Sequence, residues 1–348
     1  MRLRLLDLGL VSPLRSQAVY HGLAEAMAPD GDPLLVLLRP RRPYVCLGLH
    51  QSLEQEIDLE ACRRHGLPLI RRQVGGGTVL LDRRQLFFQF IYPRRAVTGP
   101  VRELYPRFLA PVVDSYRALG LSAHLAGGND VQIRGRKIGG SGAAHIGQAV
   151  VVVGSFLLDF DFALMSRVAR LPSPGLRPAF RRAMQCHMTT LSRELGAAPP
   201  LAHLKQLFLR QVMRRLAVEI TPSRLDDRER RAVCEAEDEL SDRDWLMLDG
   251  RSQVPHGVKV AAGVYLTERR FHVEGRAVHI RLLCARGRIA WLAFPGHAEL
   301  RPLARRLIGQ PLRAEALRPL LTRGLQGNAV APEQWLQALL ETAHGECR

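Results

Sequence analysis

The chain has 348 residues, 47% hydrophobic and 24% charged, with a formal net charge of +17. That is an ordinary globular composition long enough for two domains, and the longest apolar stretch, Ala149 to Leu158, is far shorter than a membrane span requires. The positive charge favours an anionic partner such as a nucleotide, a nucleic acid or an acidic protein face. In chain order, Leu34 to Leu38 and Tyr44 to Leu47 read as strands separated by Pro40 and Pro43. Leu53 to His65 has helical spacing and ends at Gly66. Leu67 to Arg71, Thr78 to Asp82 and Gln85 to Tyr92 read as strands, and Val101 to Leu119 as an amphipathic helix closed by Gly120. Val131 to Ile133, a turn at Arg134-Gly135-Arg136, and Lys137-Ile138 form a predicted β-hairpin, followed by a strand over Ala149 to Leu158. Turn-rich LPSPGLRP (171–178) and GAAPP (196–200) bracket helical stretches, and Arg224 to Arg243 is a charged helix. Beyond about 250, Phe271 to Leu283 alternates as a strand, Arg286-Gly287 turns, and Ile289 to Phe294 returns. Helices follow over Leu300 to Leu307 and Glu333 to Thr342. The pattern predicts an α+β fold: a mixed sheet flanked by helices over residues 1–245, and a small α+β domain over 250–348.

No apolar block with a cleavage site follows Arg2 and Arg4, so no secretory signal is expected. Six cysteines (Cys46, Cys62, Cys186, Cys234, Cys284, Cys347) are scattered without a CxxC pair. This argues for a reducing, cytoplasmic setting and against structural zinc. The basic charge is almost wholly arginine, since Lys137, Lys205 and Lys259 are the only lysines. A lysine in so arginine-rich a chain draws notice, because the two residues are not interchangeable in a tight site.

Two segments carry chemical signals. The first, RRQVGGGT (71–78), sets two fixed cations beside backbone with no side-chain bulk, a place where N–H groups and arginine forks can meet phosphate or carboxylate oxygens. Alone it is equally what a bulge or loop looks like. It contains neither GxxxxGK[ST] nor GxGxxG. The second, GNDVQIRGRKIGGSG (128–142), places Lys137 just past a hairpin turn and just before more glycines. An ammonium there can neutralise charge developing between a carboxylate and a phosphate; alone, it is also what a solvated surface hairpin looks like. His50, His145 and the neighbours Cys186-His187 are assigned no role.

Taken together the segments resemble the lipoate–protein ligase family. That family shows G-x-x-Q, then E-[IV]-[ND], then RR-x-[ST]-GGG-[AT]-V-x-x-D. Gly48, Gln51, Glu56, Ile57, Asp58, Arg71, Arg72, Gly75, Gly76, Gly77, Thr78, Val79 and Asp82 match it. Asn129, Asp130, Gly135, Lys137, Ile138, Gly140 and Ser141 match the family's N-D-[IVL]-x-[IV]-x-G-[RK]-K-[IVL]-[SA]-G-[SN] segment, and Thr190-Leu191 falls at its threonine-led loop. The resemblance covers about residues 30 to 200, more weakly the region after 250. The chain departs from the pattern at Val74, at Gln85, at Gly139 and Gly142-Ala143, and at Val152-Val153-Gly154 where many members carry His-His-Gly.

The resemblance implies the catalytic fold shared by biotin and lipoate ligases, related to class II aminoacyl-tRNA synthetases. It implies a two-step reaction in which lipoic acid attacks ATP to give lipoyl-AMP, and an acceptor lysine then takes the acyl group and releases AMP. Lys137 is then the catalytic residue. Arg71, Arg72, Gly75, Gly76, Gly77, Thr78, Asp82, Asn129, Asp130, Gly140 and Ser141 are then expected to bind substrate and adenylate, with Asp130 a magnesium contact. The implied acceptor is a lipoyl-domain protein: an E2 subunit, a glycine-cleavage H protein or a specialised lipoate-binding protein. A monomer is expected. Three rivals share these residues. An octanoyl or lipoyl transferase works through a cysteine thioester close ahead of the GRK turn, but no cysteine lies between Cys62 and Cys186. Biotin–protein ligases share the hairpin but lack RRQVGGGTV. A nucleic-acid-binding protein would suit the charge, yet aromatics are only 6% and no RRM, KH or zinc pattern is present.

Overall fold

The structure, a computed structural model, describes residues 1–97, 99–252, 254, 256–273, 276–325 and 332–343. It divides into two compact units, Met1–Val168 with Cys186–Arg251, and Ala169–Gln185 with Ser252–Arg348. The elements of the first part of the chain are β1 (Arg2–Val11), α1 (Pro13–Glu25), β2 (Leu34–Pro40), β3 (Tyr44–Leu47), α2 (Leu53–Glu56), α3 (Leu59–Arg64), β4 (Leu69–Arg71), β5 (Val79–Leu81), β6 (Gln85–Pro93) and α4 (Val101–Ala118). Then come β7 (Ala123–Ala126), β8 (Asp130–Ile133), β9 (Arg136–Ile146), β10 (Ala149–Leu157), α5 (Phe162–Val168), α6 (Arg177–His187), α7 (Leu191–Leu195), α8 (Leu201–Leu216), β11 (Glu219–Pro222), α9 (Asp227–Ser241) and α10 (Arg243–Leu246).

A mixed eight-stranded sheet runs β11-β1-β2-β6-β10-β9-β8-β7, with β1 parallel to both β11 and β2 and the remaining pairs antiparallel. A three-stranded sheet, β4-β3-β5, stands beside it. The large sheet is covered on both faces, which is why β2 reads as nearly continuous leucine and valine. Leu35, Leu37, Phe88 and Phe90 pack with Phe108 and Val112 of α4 and Phe208 of α8. Their neighbours Val36, Leu38, Phe87 and Ile91 pack with Val19 and Leu23 of α1 and Val233 of α9. Gly22 lets those two helices close up, since a Cβ there would lie 2.3 Å from the Ala232 carbonyl oxygen.

The second unit holds a four-stranded antiparallel sheet of β12 (Gly257–Ala261), β13 (Val264–Val273), β14 (Arg276–Ala285) and β15 (Arg288–Ala293). It is followed by α11 (Arg301–Leu307), α12 (Ala314–Gly324) and α13 (Pro332–Thr342). Ile280, Leu282, Leu317, Trp335 and Leu339 lie in its core. Buried Glu268 accepts from Arg281 Nε at 2.7 Å and meets His279 at 2.6 Å, while Arg281 reaches Ser173 at 3.2 Å.

The expected α+β class, with a mixed sheet flanked by helices, is found. Two elements differ from expectation. The helix expected over Leu53 to His65 is two short helices, because Ile57 turns extended and is fully buried while Asp58 caps α3 by accepting from Ala61 N–H at 2.9 Å. The single strand expected over Phe271 to Leu283 is the end of β13 and most of β14, and Glu274 and Gly275 between them lie outside the described residues. Cys46, Cys62, Cys186 and Cys234 are free thiols, whereas Cys284 is in a disulfide that the scattered spacing did not foretell. Cys347 lies outside the described residues. Among the described residues no helix is long and apolar enough to cross a membrane.

Candidate functional site

The segment RRQVGGGT is the connection from β4 to β5, and its shape follows from where its side chains go. Arg71 is fully buried, and backbone carbonyls take all of its donors. Nη1 donates to Leu49 at 2.8 Å and Gln51 at 2.7 Å, Nη2 to Leu246 and Leu248 at 2.9 Å each, and Nε to Leu246 at 3.2 Å. Trp245 Nε1 donates back to the Arg71 carbonyl at 2.9 Å. Arg72 bends over the glycines, donating from Nη2 to the carbonyls of Gly75 at 3.0 Å and Gly77 at 2.8 Å and from Nη1 to that of Cys46 at 3.2 Å. Gln51 ties the loop to the β3–α2 turn, its Oε1 accepting from Gly48 N–H at 3.1 Å and Thr78 Oγ1 at 3.0 Å. Glycine is required at two of these positions. Gly76 has φ of +105°, and a Cβ on Gly48 would lie 2.0 Å from the Gly76 carbonyl oxygen.

The lysine segment is the β8–β9 hairpin. Its turn residues Arg134 and Gly135 have φ of +49° and +73°, as a type I′ turn requires. Lys137 Nζ lies 2.7 Å from Asp130 Oδ1, with the carboxylate almost fully buried and the ammonium partly exposed. Gly140 leaves that ammonium its position, since a Cβ there would fall 2.8 Å from Lys137 Nζ. Asn129 and Ser141 lock the open end reciprocally: Asn129 Nδ2 donates to the Ser141 carbonyl at 2.9 Å, and Ser141 Oγ to the Asn129 carbonyl at 2.7 Å. On the outer side Thr189 N–H donates to the Lys137 carbonyl at 2.8 Å. Glu194 takes Arg136 at 2.6 Å and the Thr189 hydroxyl.

The fold brings the two segments together. A Cβ on Gly142 would lie 3.1 Å from Val74 Cγ2 and 3.5 Å from the Gly75 carbonyl oxygen, so the loop rests directly on β9. Two of the departures from the family pattern therefore fit one another: the missing side chain at 142 makes room for the buried valine at 74, which joins Tyr20, Phe87 and Val151 in the core. Gly154 is equally constrained, a Cβ there lying 2.5 Å from Phe88 Cζ and 2.9 Å from the Gly140 carbonyl oxygen. Asp82 is turned to a different task. Its carboxylate accepts from Arg84 N–H at 2.7 Å, Nε at 2.8 Å and Nη2 at 2.5 Å, closing the β5–β6 turn.

Chemically, the site offers one ammonium held by a buried carboxylate, beside a glycine loop whose own carbonyls already occupy Arg72. No thiol beside the loop is primed for attack. Burial pushes the Cys46 thiol up despite Arg72 at 3.7 Å, and burial pushes Cys62 up to about 11. Among the described residues no group of three His, Cys, Asp or Glu side chains could cage a metal. Asp130 supplies a single carboxylate, which fits a magnesium ion carried mainly by substrate phosphates and not a protein cage. Three contributors escaped sequence reasoning: Gln51, matched only as a pattern letter, Glu194, and Tyr116, whose hydroxyl donates to the Ile138 carbonyl at 3.1 Å.

Residues 12–213, more than half of the chain, match the lipoyl protein ligase A/B catalytic domain. The octanoyltransferase LipM of Symbiobacterium thermophilum is 27% identical over 249 residues, covering 65% of this chain and 90% of that protein. Lipoate–protein ligase 1 of Staphylococcus aureus is 28% identical over 146 residues, 40% of this chain and 44% of that protein. A bipartite lipoate protein ligase from Thermoplasma acidophilum, studied with its E2 lipoyl domain, superposes with a TM-score of 0.66 at 23% identity, covering 73% of this chain and all of that one. Lipoate-protein ligase A bound with ATP gives 0.62 at 22% identity, covering 71% and 99%.

Proposed function

Because the chain belongs to the lipoyl protein ligase A/B catalytic-domain family, we propose that it is an ATP-dependent lipoate–protein ligase. The observation that carries this reading is the placement of Lys137, held at 2.7 Å from buried Asp130 and set beside the glycine loop through β9, with no cysteine anywhere between Cys62 and Cys186 to form a thioester. In the first step the lipoate carboxylate attacks the α-phosphate of ATP and pyrophosphate departs. In the second, a lysine of an acceptor lipoyl domain attacks the adenylate and AMP departs. Negative charge builds near the phosphate in both steps, and Lys137 stabilises it through its ammonium. Asp130 keeps that ammonium in place, and Asn129 and Ser141 fix the strand ends that carry both. Gly75, Gly76, Gly77 and Thr78 let the ligand come close to backbone. Arg72 shapes that loop, and we assign it to the acyl carboxylate or the adenylate phosphate. Arg71 and Asp82 act on the ligand only through the backbone they organise. A magnesium ion bound with ATP would offset phosphate charge, and Asp130 would be its protein ligand.

A second reading is favoured by the LipM relative: acyl transfer through an enzyme thioester. Of the two exposed free thiols, Cys186 and Cys234, Cys186 near the end of α6 is the candidate for it, two residues before Met188, which bridges Lys137. ATP–pyrophosphate exchange with lipoate, octanoate and biotin, on wild type, Lys137→Ala and Cys186→Ser, separates the two. The ligase reading expects lipoate-dependent exchange that Lys137→Ala abolishes and Cys186→Ser leaves intact. ATP-independent octanoyl transfer lost in Cys186→Ser would replace it.

A further inference from the structure

Lys137 faces the same side of the sheet as Asp130 only because β9 carries a bulge immediately after it. Asp130 stands opposite Gly140 and Val131 opposite Gly139, but Gln132 stands opposite Lys137 and Ile133 opposite Arg136, which makes Ile138 the extra residue. Opposed residues share a face, and so do alternate residues along a strand. Asp130, Gln132 and Lys137 therefore share one face. Val131, Ile133 and Ile138 take the other and pack into the core with α4. An unbulged ladder would set Lys137 opposite Ile133 and turn its charge into that core.

The bulged residue drops out of the ladder, so its backbone groups need partners elsewhere. Tyr116 of α4, fully buried, donates its hydroxyl hydrogen to the Ile138 carbonyl at 3.1 Å. Gly139 sits against the same spot: a Cβ there would press the Ser155 carbonyl oxygen at 3.2 Å and touch the Tyr116 oxygen at an ordinary 3.6 Å. We propose that Tyr116 is a positioning residue for Lys137, acting through the bulge at Ile138. Its importance for turnover rests on the ligase reading above; its effect on the lysine does not.

Tyr116→Phe tests this, because it keeps the ring and its packing 5.2 Å from Phe156 while deleting the donor. With only three lysines in the chain, protein labelled with 15N-lysine has three side-chain ammonium groups to follow by NMR, and Lys137→Arg assigns one of them. In Tyr116→Phe the Lys137 signal is expected to move toward its position in Asp130→Asn, while those of Lys205 and Lys259 stay in place. The kcat of lipoate-dependent exchange should fall roughly five- to a hundredfold, the range that orphaning one buried carbonyl corresponds to, with KM values moving less. Gly139→Ala, which crowds the bulge from the Ser155 side, is expected to move the same signal and serves if Tyr116→Phe does not fold. A Lys137 signal that stays put in a folded variant overturns the inference, whatever the activity. Wild-type protein inactive in exchange overturns the ligase reading instead, and the NMR signal still decides the role of Tyr116.

Discussion

Gly140→Ala separates the position of Lys137 from the stability of the fold. The added methyl would lie 2.8 Å from Lys137 Nζ and 2.9 Å from Cε, while Asp130 Oδ1 stands 3.8 Å away and is not pressed. Ordinary contact needs about 3.5–4.0 Å, so the ammonium must retreat by roughly 0.7–1 Å, enough to open the 2.7 Å pair with Asp130. The backbone is not strained, because Gly140 is not among the glycines with positive φ. Alanine in a strand gains about 0.5–1 kcal/mol over glycine, which offsets the ~1 kcal/mol at stake in a partly exposed ion pair. Stability should therefore stay within about 1 kcal/mol of wild type. A displacement of about 1 Å in a catalytic group costs on the order of a hundredfold in rate. Lipoate-dependent ATP–pyrophosphate exchange measures the rate, and thermal melting checks the fold. Full activity in Gly140→Ala would refute the placement of Lys137 as a catalytic feature; a large loss of melting temperature would refute the steric reasoning.

Gly48→Ala sets a methyl 2.0 Å from a backbone oxygen that no rotamer change can move, and should destabilise by roughly 1–3 kcal/mol and lower activity, read by denaturant titration and exchange. Arg71→Lys replaces five donors by three and strands backbone carbonyls on two segments; a loss of roughly 2–4 kcal/mol is expected in the same titration, and an unchanged midpoint would deny Arg71 its bracing role. His21, buried against Gln73 at 3.1 Å with Glu239 at 3.5 Å and Glu25 at 3.9 Å, has its pKa lowered chiefly by burial. A depressed value means that the unfolded chain takes up the proton first, so this contribution to stability is complete above about pH 6.5 and lost as pH falls below it. His21→Gln should flatten the melting temperature over that window.

What the sequence made legible was local. The turn at Arg134-Gly135 and the strands on either side of the glycines depend on short strings whose backbone demands are visible in the letters; the closeness of the two motifs was implied only by the family resemblance. The partners that shape the site are distant. Arg71 finds carbonyls some 175 residues on, at Leu246 and Leu248, and nothing in RRQVGGGT says that its first arginine turns inward and its second covers the glycines. Asp82 matched a family position, yet its partner is two residues away at Arg84. β1 and α1 were not foreseen at all, because β1 is defined by pairing with β11 at the far end of the unit. The bulge at Ile138 was hidden for a different reason. A run of GRKIGG fixes neither register nor face until Tyr116 and Asp130 are in place around it.

The shell around Arg71 has a further consequence for how this region can change. Its guanidinium behaves like an embedded cation coordinated by peptide oxygens, and it reads no side chain at Leu49, Gln51, Leu246 or Leu248. Leu49, Leu246 and Leu248 can be altered without disturbing the coordination, as long as the backbone keeps its path, whereas Gln51 is held by the loop contacts of its own side chain. Random mutagenesis should therefore find this neighbourhood lopsided, with one irreplaceable residue at the centre and permissive ones around it. The side chains of Leu246 and Leu248 are in that sense interchangeable parts, available for redesign while the loop above them keeps its shape.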